Sequence, residues 1–147
     1  MGLDMYLNKK TYIGANYEFN NITGTLALKR ENVPIPIQLK KVRFILEEQA
    51  YWRKANQIHK WFVDNVQKGV DDCGIYLVSG EQLLKLVELC KRVLADHSLA
   101  DSLLPSQDGF FFGSTEYDEY YFEDLENTIE QLSDIEPEEC YEYHSSW

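Results

Sequence analysis

The feature that most constrains the fold of this chain is a run of 29 residues, Lys40 to Lys68, without proline or glycine. Such a run is long enough for one continuous helix, and Gly69 follows it directly. Apolar side chains recur in this run at spacings of three and four residues, the period of a helix with one buried face. The pattern predicts a helix that begins near Lys40 and ends at Gly69, a residue type favoured just beyond a helix C-terminus. The predicted buried stripe comprises Tyr51, Ala55, Ile58, Phe62 and Val66.

A second stripe on the same predicted helix mixes aromatic rings with hydrogen-bonding groups. It comprises Trp52, Asn56, His59 and Val63. The remaining polar positions predict an outer face in contact with solvent, formed by Arg53, Gln57, Lys60 and Asp64.

The N-terminal part of the chain reads as strands. Leu3, Met5 and Leu7 alternate with more polar residues, the period of a half-buried strand. The segments TYIGANYEF and GTLAL are predicted as further strands, separated by the turn NNITG. The segment VPIPIQL is predicted to be extended, at a sheet edge or in a loop, because its two prolines exclude a helix.

Two more helices are predicted after Gly69. CGIYLV reads as a short strand, and Ser79 followed by Gln82 is a capping box that opens a helix from about Gly80 to Ala95. ADHSLADSLLPSQ is predicted as a connecting loop and GFFF as a brief strand. Thr115 and Asp118 are candidate caps for a helix from Glu116 to about Leu132. Its predicted inward stripe is Tyr117, Tyr121, Leu125, Thr128 and Leu132.

These elements predict an α+β fold in one domain spanning residues 1–147. A small, mostly antiparallel sheet would come from the N- and C-terminal parts, with about three helices packed on it. The acidic tail, about residues 134–147, alternates again in CYEYHSSW and is predicted as a final strand.

Charge is distributed unevenly along the chain. The formal net charge is -11, yet residues 1–68 carry 11 Lys/Arg against 6 Asp/Glu, while residues 69–147 carry 3 against 19. The overall charge disfavours direct binding to duplex nucleic acid, which requires a basic footprint. An acidic second half is compatible with packing against the basic first half, or with a basic partner protein.

Composition also bears on the cellular setting. No apolar run reaches the length of a membrane span, and the first residues show no secretory signal, so a cytoplasmic protein with no membrane partner is expected. The three cysteines, Cys73, Cys90 and Cys140, are widely spaced and are expected to be free thiols.

Motifs for catalysis or metal binding are absent from the sequence. The three histidines show no zinc-ligand spacing, and there is no nucleophile elbow or glycine-rich phosphate loop. We therefore expect no catalytic residues, metal or cofactor. An acid–base pair of His59 with Asp118 would require the fold to bring the two together, and on that condition a hydrolase acting on phosphodiesters is a further alternative.

Two segments have the residue types of a ligand site. A ring for stacking, an amide and a positive charge suit a nucleotide-like ligand, and they occur together at Trp52, Arg53, Asn56 and His59, with Lys54 beside them. The turn after the phenylalanines is the second segment, with Phe112, Gly113, Ser114, Asp118 and Tyr120 as candidate site residues. The acids around this turn count against an anion at the helix start.

Three blocks of sequence carry a resemblance to a known family. MGLDMYL, YWRKANQIHKWFVDNVQ and GFFFGSTEYDEYYFEDL, in that order, resemble a family of small proteins encoded by bacteriophages and prophages. The resemblance implies a context, the cytoplasm of an infected bacterium, and transfers no catalytic residues.

In that context, the sequence predicts a non-enzymatic accessory protein that sequesters a small nucleotide-like signalling ligand and so counters a host defence. The alternative is an acidic inhibitor or nucleic-acid mimic that binds a host protein, since tyrosine and acidic residues are abundant. Self-association into a homo-oligomer is left open.

Overall fold

The computed structural model describes residues 2–14, 19–20 and 22–147. The chain divides into two compact units, the first unit being Met1–Lys9 with Glu48–Trp147 and the second unit being Lys10–Glu47. The predicted strand TYIGANYEF and the predicted turn NNITG fall partly on residues 15–18 and 21, which lie outside the described residues.

Strands and helices both contribute, and the predicted α+β class is confirmed. The strands are β1 (Asp4–Tyr12), β2 (Leu28–Arg30), β3 (Val33–Ile35), β4 (Phe44–Arg53), β5 (Tyr76–Ser79) and β6 (Cys140–Ser146). The helices are α1 (Asn56–Asn65), α2 (Gly80–Ala95), α3 (Ala100–Leu103) and α4 (Glu119–Gln131). None of the helices in the described ranges is long and apolar enough to cross a membrane.

A four-stranded sheet in the order β4-β1-β6-β5 joins the two ends of the chain. β1 and β6 are antiparallel, with Asp4 opposite Ser146 and Lys9 opposite Tyr141. β5 is antiparallel to β6 as well. The prediction that the N- and C-terminal parts build an antiparallel sheet is therefore confirmed, and the tail forms β6.

One face of this sheet is buried under the helices of the first unit. The alternation at the N-terminus places Leu3, Met5 and Leu7 in the core, and Tyr141 and Tyr143 of β6 lie in the same cluster. α2 covers the core with Leu83, Leu86, Val87, Cys90 and Val93, as its sequence pattern predicts. Its predicted capping box is also present, since Ser79 Oγ accepts from the Gln82 N–H.

The long helix predicted from Lys40 is wrong in its first half. Phe44–Arg53 is strand β4, in which Ala50 and Trp52 are buried at the two-residue period of a strand. The Lys54 N–H donates to the Leu3 carbonyl, and a left-handed backbone at Lys54 (φ 59°) separates β4 from α1. Backbone pairing with β1 outweighs local helix propensity here, because an unpaired buried peptide group is costly.

Three smaller predictions in the second half need correction. GFFF is a turn and not a strand, since Phe110 and Phe111 are exposed and Phe111 has a positive φ of 60°. The predicted loop ADHSLADSLLPSQ contains a 3-10 turn and α3. α4 begins at Glu119, three residues later than predicted, because the Asp118 carboxylate caps it by accepting from the Tyr121 N–H.

The second unit contains a two-stranded antiparallel sheet of β2 and β3. Glu31 and Asn32 both have positive φ, the geometry of a tight type I′ hairpin turn. VPIPIQL supplies β3, and in a two-stranded sheet every strand is an edge strand, as predicted for this segment. Of the predicted strand GTLAL, only Leu28 lies in a strand. No apolar side chain among the described residues of this unit is buried in a core.

Candidate functional site

A cleft of about 510 Å³ in the first unit is lined by two segments that lie far apart in sequence. One wall comes from the end of β4 and the start of α1, and the other from the turn before α4 and its first turns. The lining residues are Arg53, Lys54, Asn56, Gln57, Gly113, Ser114, Glu116, Asp118, Tyr120, Tyr121, Glu123 and Asp124. Six of the nine ligand-binding residues predicted from sequence therefore line this cleft: Arg53, Asn56, Gly113, Ser114, Asp118 and Tyr120.

Asn56 fixes the turn that forms the second wall. Its side-chain NH₂ donates to the carbonyls of Ser114 (2.8 Å) and Phe112 (3.2 Å). Its Oδ1 accepts from the Gln107 N–H at 2.9 Å. Because the buried amide is committed to these three bonds, Asn56 shapes the cleft and has little capacity left for a ligand.

Gly113 lets the same turn pass close to the first wall. Its φ is +95°, and an added Cβ would lie 3.2 Å from the Lys54 carbonyl oxygen. A side chain at this position would meet both backbone strain and a close contact, so the narrow base of the cleft depends on glycine.

His59 lies in the core and not in the cleft. Nδ1 is 2.7 Å from the Tyr143 hydroxyl, and Nε2 is 2.9 Å from Asp71 Oδ1. The side chain is fully buried, and this desolvation lowers the pKa of His59, opposed by the nearby Asp71. The partner of His59 is thus Asp71, and the acid–base pair with Asp118 considered from sequence does not form.

Trp52 and Phe112 are also buried away from the cleft surface. The Trp52 indole N–H donates to Thr128 Oγ1 at 2.9 Å, which ties β4 to α4. The Phe112 ring packs edge-on against the His59 ring, with centroids 5.4 Å apart. These two residues and His59 were predicted to touch a ligand, and the structure instead places all three behind the cleft walls.

Charged groups of opposite sign face the cleft. Arg53 and Lys54 are exposed on the first wall, and within the described residues neither makes an ion pair. The second wall carries the carboxylates of Glu116, Asp118, Glu123 and Asp124. The cleft therefore has two cations without a direct ion pair among the described residues on one side, and an excess of carboxylate acceptors on the other.

Gln57 and Asp124 join the two walls, and sequence reasoning missed both. Gln57 was predicted to face solvent, but it is buried and donates to the Tyr121 carbonyl (3.3 Å) and to Asp124 Oδ2 (3.1 Å). Burial raises the pKa of Asp124 to about 6, opposed by the hydrogen bond from Gln57. One signal in the sequence could have identified Asp124: it lies four residues after the predicted site residue Tyr120, and residues at this spacing share one face of a helix.

Tyr120 is the ring that the cleft offers to a ligand. It is 75% exposed, whereas the neighbouring Tyr121 is buried and donates its hydroxyl proton to the Leu104 carbonyl. Ser114 is exposed beside it, with Oγ accepting from the Glu116 N–H. An exposed aromatic face at the edge of a polar cleft suits stacking against a flat ring.

The described part of the chain contains no group of three or more His, Cys, Asp or Glu side chains placed to hold a metal ion. Comparison with protein-family models, with curated proteins and with solved structures gave no match to this chain. The arrangement of the cleft is therefore the basis for a functional assignment.

Proposed function

We propose that this chain is a non-enzymatic binding protein that takes a small nucleotide-like ligand into the cleft. The observation that carries the proposal is the meeting of two distant segments around one cavity, with unpaired Arg53 and Lys54 facing an exposed Tyr120 ring. Stacking surface, positive charge and hydrogen-bonding groups are the three features that such a ligand needs.

Each part of a nucleotide has a partner in this arrangement. Arg53 and Lys54 supply charge-assisted donors for a phosphate. Tyr120 offers its face to the base. The carboxylates of Asp118 and Asp124 accept from the N–H groups on the edge of a base.

Charge balance narrows the ligand class further. Four carboxylates and two cations line the cleft, so a ligand with several phosphate charges would be repelled by the second wall. Nucleotides with one charge per phosphate, such as cyclic phosphodiesters, fit this balance better than triphosphates. The resemblance to phage and prophage proteins supports a role in an infected bacterial cytoplasm, where sequestering a signalling nucleotide would counter a host defence.

Isothermal titration calorimetry against cyclic mononucleotides, cyclic dinucleotides and ADP-ribose tests the proposal. We expect at least one member to bind, and the double variant Arg53→Gln with Lys54→Gln to weaken binding about tenfold or more, or about 1.4 kcal/mol. Tyr120→Ala should cost about 1–3 kcal/mol, the usual value of stacking one base on a ring. Lys91→Gln, on the exposed face of α2, is the matched control and should change nothing.

Two results would overturn the proposed function. Folded protein that gives no heat with any nucleotide would remove it. Binding that survives both the Arg53/Lys54 and the Tyr120 substitutions would place the ligand elsewhere.

A second candidate function, an acidic inhibitor of a host protein, is favoured by one surface. The exposed side of α4 carries Glu119, Glu123, Glu126 and Glu130, and the sequence has no Lys or Arg from Ser106 onward. Such a surface attracts a basic partner by long-range electrostatics. Pull-down from host lysate at low and high salt tests it: a basic protein retained only at low salt supports this function, and an empty lane at low salt removes it.

A further inference from the structure

One half of the β4 edge is covered by a side chain. β4 is an end strand of the four-stranded sheet. At Tyr51, the Gln131 amide takes the place of a neighbouring strand: its Oε1 accepts from the Tyr51 N–H (2.8 Å), and its Nε2 donates to the Tyr51 carbonyl (3.1 Å). Native proteins commonly cover sheet edges in this way, because an open edge is a template for pairing with another chain.

Within the described ranges of the chain, nothing covers the other half of the same edge. No side chain of the described residues bonds to the backbone from Phe44 to Glu47. The three apolar side chains at its centre are exposed: Phe44 by 42%, Ile45 by 43% and Leu46 by 58%. An extended apolar segment with free backbone groups is the feature that strand addition uses.

Charges on either side of this apolar centre are complementary to each other. Lys40, Lys41 and Arg43 precede it, and Glu47 and Glu48 follow it. These five residues make no ion pair within the described ranges. Lys40 and Lys41 lie in a short 3-10 turn, Leu39–Lys41, ahead of the strand. A second copy of the extended part, laid antiparallel against the first in the register centred on Ile45, places Arg43 of each copy opposite Glu47 of the other.

We propose that two copies of this chain associate by antiparallel pairing of their open β4 edges about a two-fold axis. Because both the basic and the acidic residue of each pair belong to the same short segment, the contact is isologous and closes after two copies. Apolar side chains then pack at the centre, and opposite charges flank them on both sides. Cross-strand pairs of opposite charge stabilise an antiparallel ladder, whereas like charges oppose it. The residues of the proposed contact are not among those that line the cleft, and the proposal does not depend on ligand binding.

Charge reversal and mixing test this dimer. Sedimentation equilibrium of the unmodified protein from about 1 μM to 1 mM, the range of weak to moderate affinities, should show a monomer–dimer equilibrium that weakens with salt. The basic variant Glu47→Lys with Glu48→Lys, and the acidic variant Lys40→Glu with Lys41→Glu and Arg43→Glu, should each be monomeric. An equimolar mixture of the two should form a mixed dimer.

All the substituted positions are exposed, so both variants should keep the fold, which circular dichroism checks, and Lys91→Glu on α2 is the control that should still dimerise. In the unmodified protein, amide exchange from Phe44 to Glu47 should slow as concentration rises. A protein that is monomeric throughout this range overturns the proposal. So does a dimer that persists in both charge variants, or a mixture that stays monomeric.

Discussion

The carboxyl of Asp124 shows how one residue in the cleft wall affects stability. It is half-buried between α4 and Gln57, and its pKa of about 6 is above the ordinary value of 3.8. A folded-state pKa above the unfolded value means that the group favours folding below pH 3.8 and loses this contribution as pH rises through about 6. At neutral pH the charged carboxylate is therefore held at a cost.

Asp124→Asn should remove that cost at neutral pH. We expect the free energy of unfolding to rise by about 1–2 kcal/mol at pH 8, after allowance for solvent screening, and to change little at pH 3.5. The asparagine oxygen still accepts from Gln57, so the link between the walls is retained. Urea unfolding of both proteins across this pH range measures the difference. The contribution of His59 cancels because both proteins contain it, and an equal gain at both pH values would contradict the assignment.

At the scale of elements, α2 shows where local sequence is sufficient to predict the bounds of a helix, and α1 shows where it is not. α2 has its own start signal at Ser79 and Gln82, and its apolar stripe follows one helical period throughout, so its bounds follow from sequence. The stripe assigned to the region before α1 combined residues of β4 and α1 that happen to fall at helical spacing. Ala50 and Trp52 alternate in the strand, but the signal is short, and the backbone partner that decides it lies at the other end of the sequence.

Gln131 at the end of α4 should contribute to stability through the strand edge that it covers. Gln131→Ala should lower the free energy of unfolding by about 1–3 kcal/mol, because two hydrogen bonds to Tyr51 are lost. Glu130→Ala, the exposed neighbour on the same helix, is the matched control. Chemical denaturation measures both. Equal effects of the two substitutions would mean that the edge contacts are energetically neutral.

For the whole molecule, the distribution of buried side chains predicts unequal local stability. The first unit holds the entire described hydrophobic core, and the second unit has no buried apolar side chain among its described residues. Segments with few buried apolar contacts open at low free-energy cost and are the first to be cleaved.

Limited trypsin digestion of dilute protein should therefore cut first at Lys29, Arg30, Lys40 and Lys41, all in the second unit. Cleavage at Lys85 and Arg92 in α2 should follow more slowly. Mass spectrometry of the early fragments identifies the sites, and urea-denatured protein gives the rates without structure. Early cuts inside α2 would contradict the predicted order.

Sequence also located much of the cleft, for a definable reason. Arg53, Asn56, Gly113, Ser114, Asp118 and Tyr120 were identified from residue type beside a helix start, and they line one cavity. Trp52, His59 and Phe112 have the same chemical character, but each forms its contacts in the core. Whether a polar or aromatic side chain at the β4–α1 junction faces the cavity or the core depends on where the strand ends and the helix begins. Residue type alone does not specify that position.

By itself the sequence determined the α+β class, the sheet built from both ends of the chain, and α2 with its N-terminal capping box. These depend on periodicity and on side chains that bond to their own neighbours. Tertiary structure alone decided that Phe44–Arg53 is a strand, that Gln57 and Asp124 meet, and that His59 pairs with Asp71. Those outcomes depend on partners far away in sequence, because an exposed backbone edge or a buried polar group takes whichever hydrogen-bond partner the fold brings near.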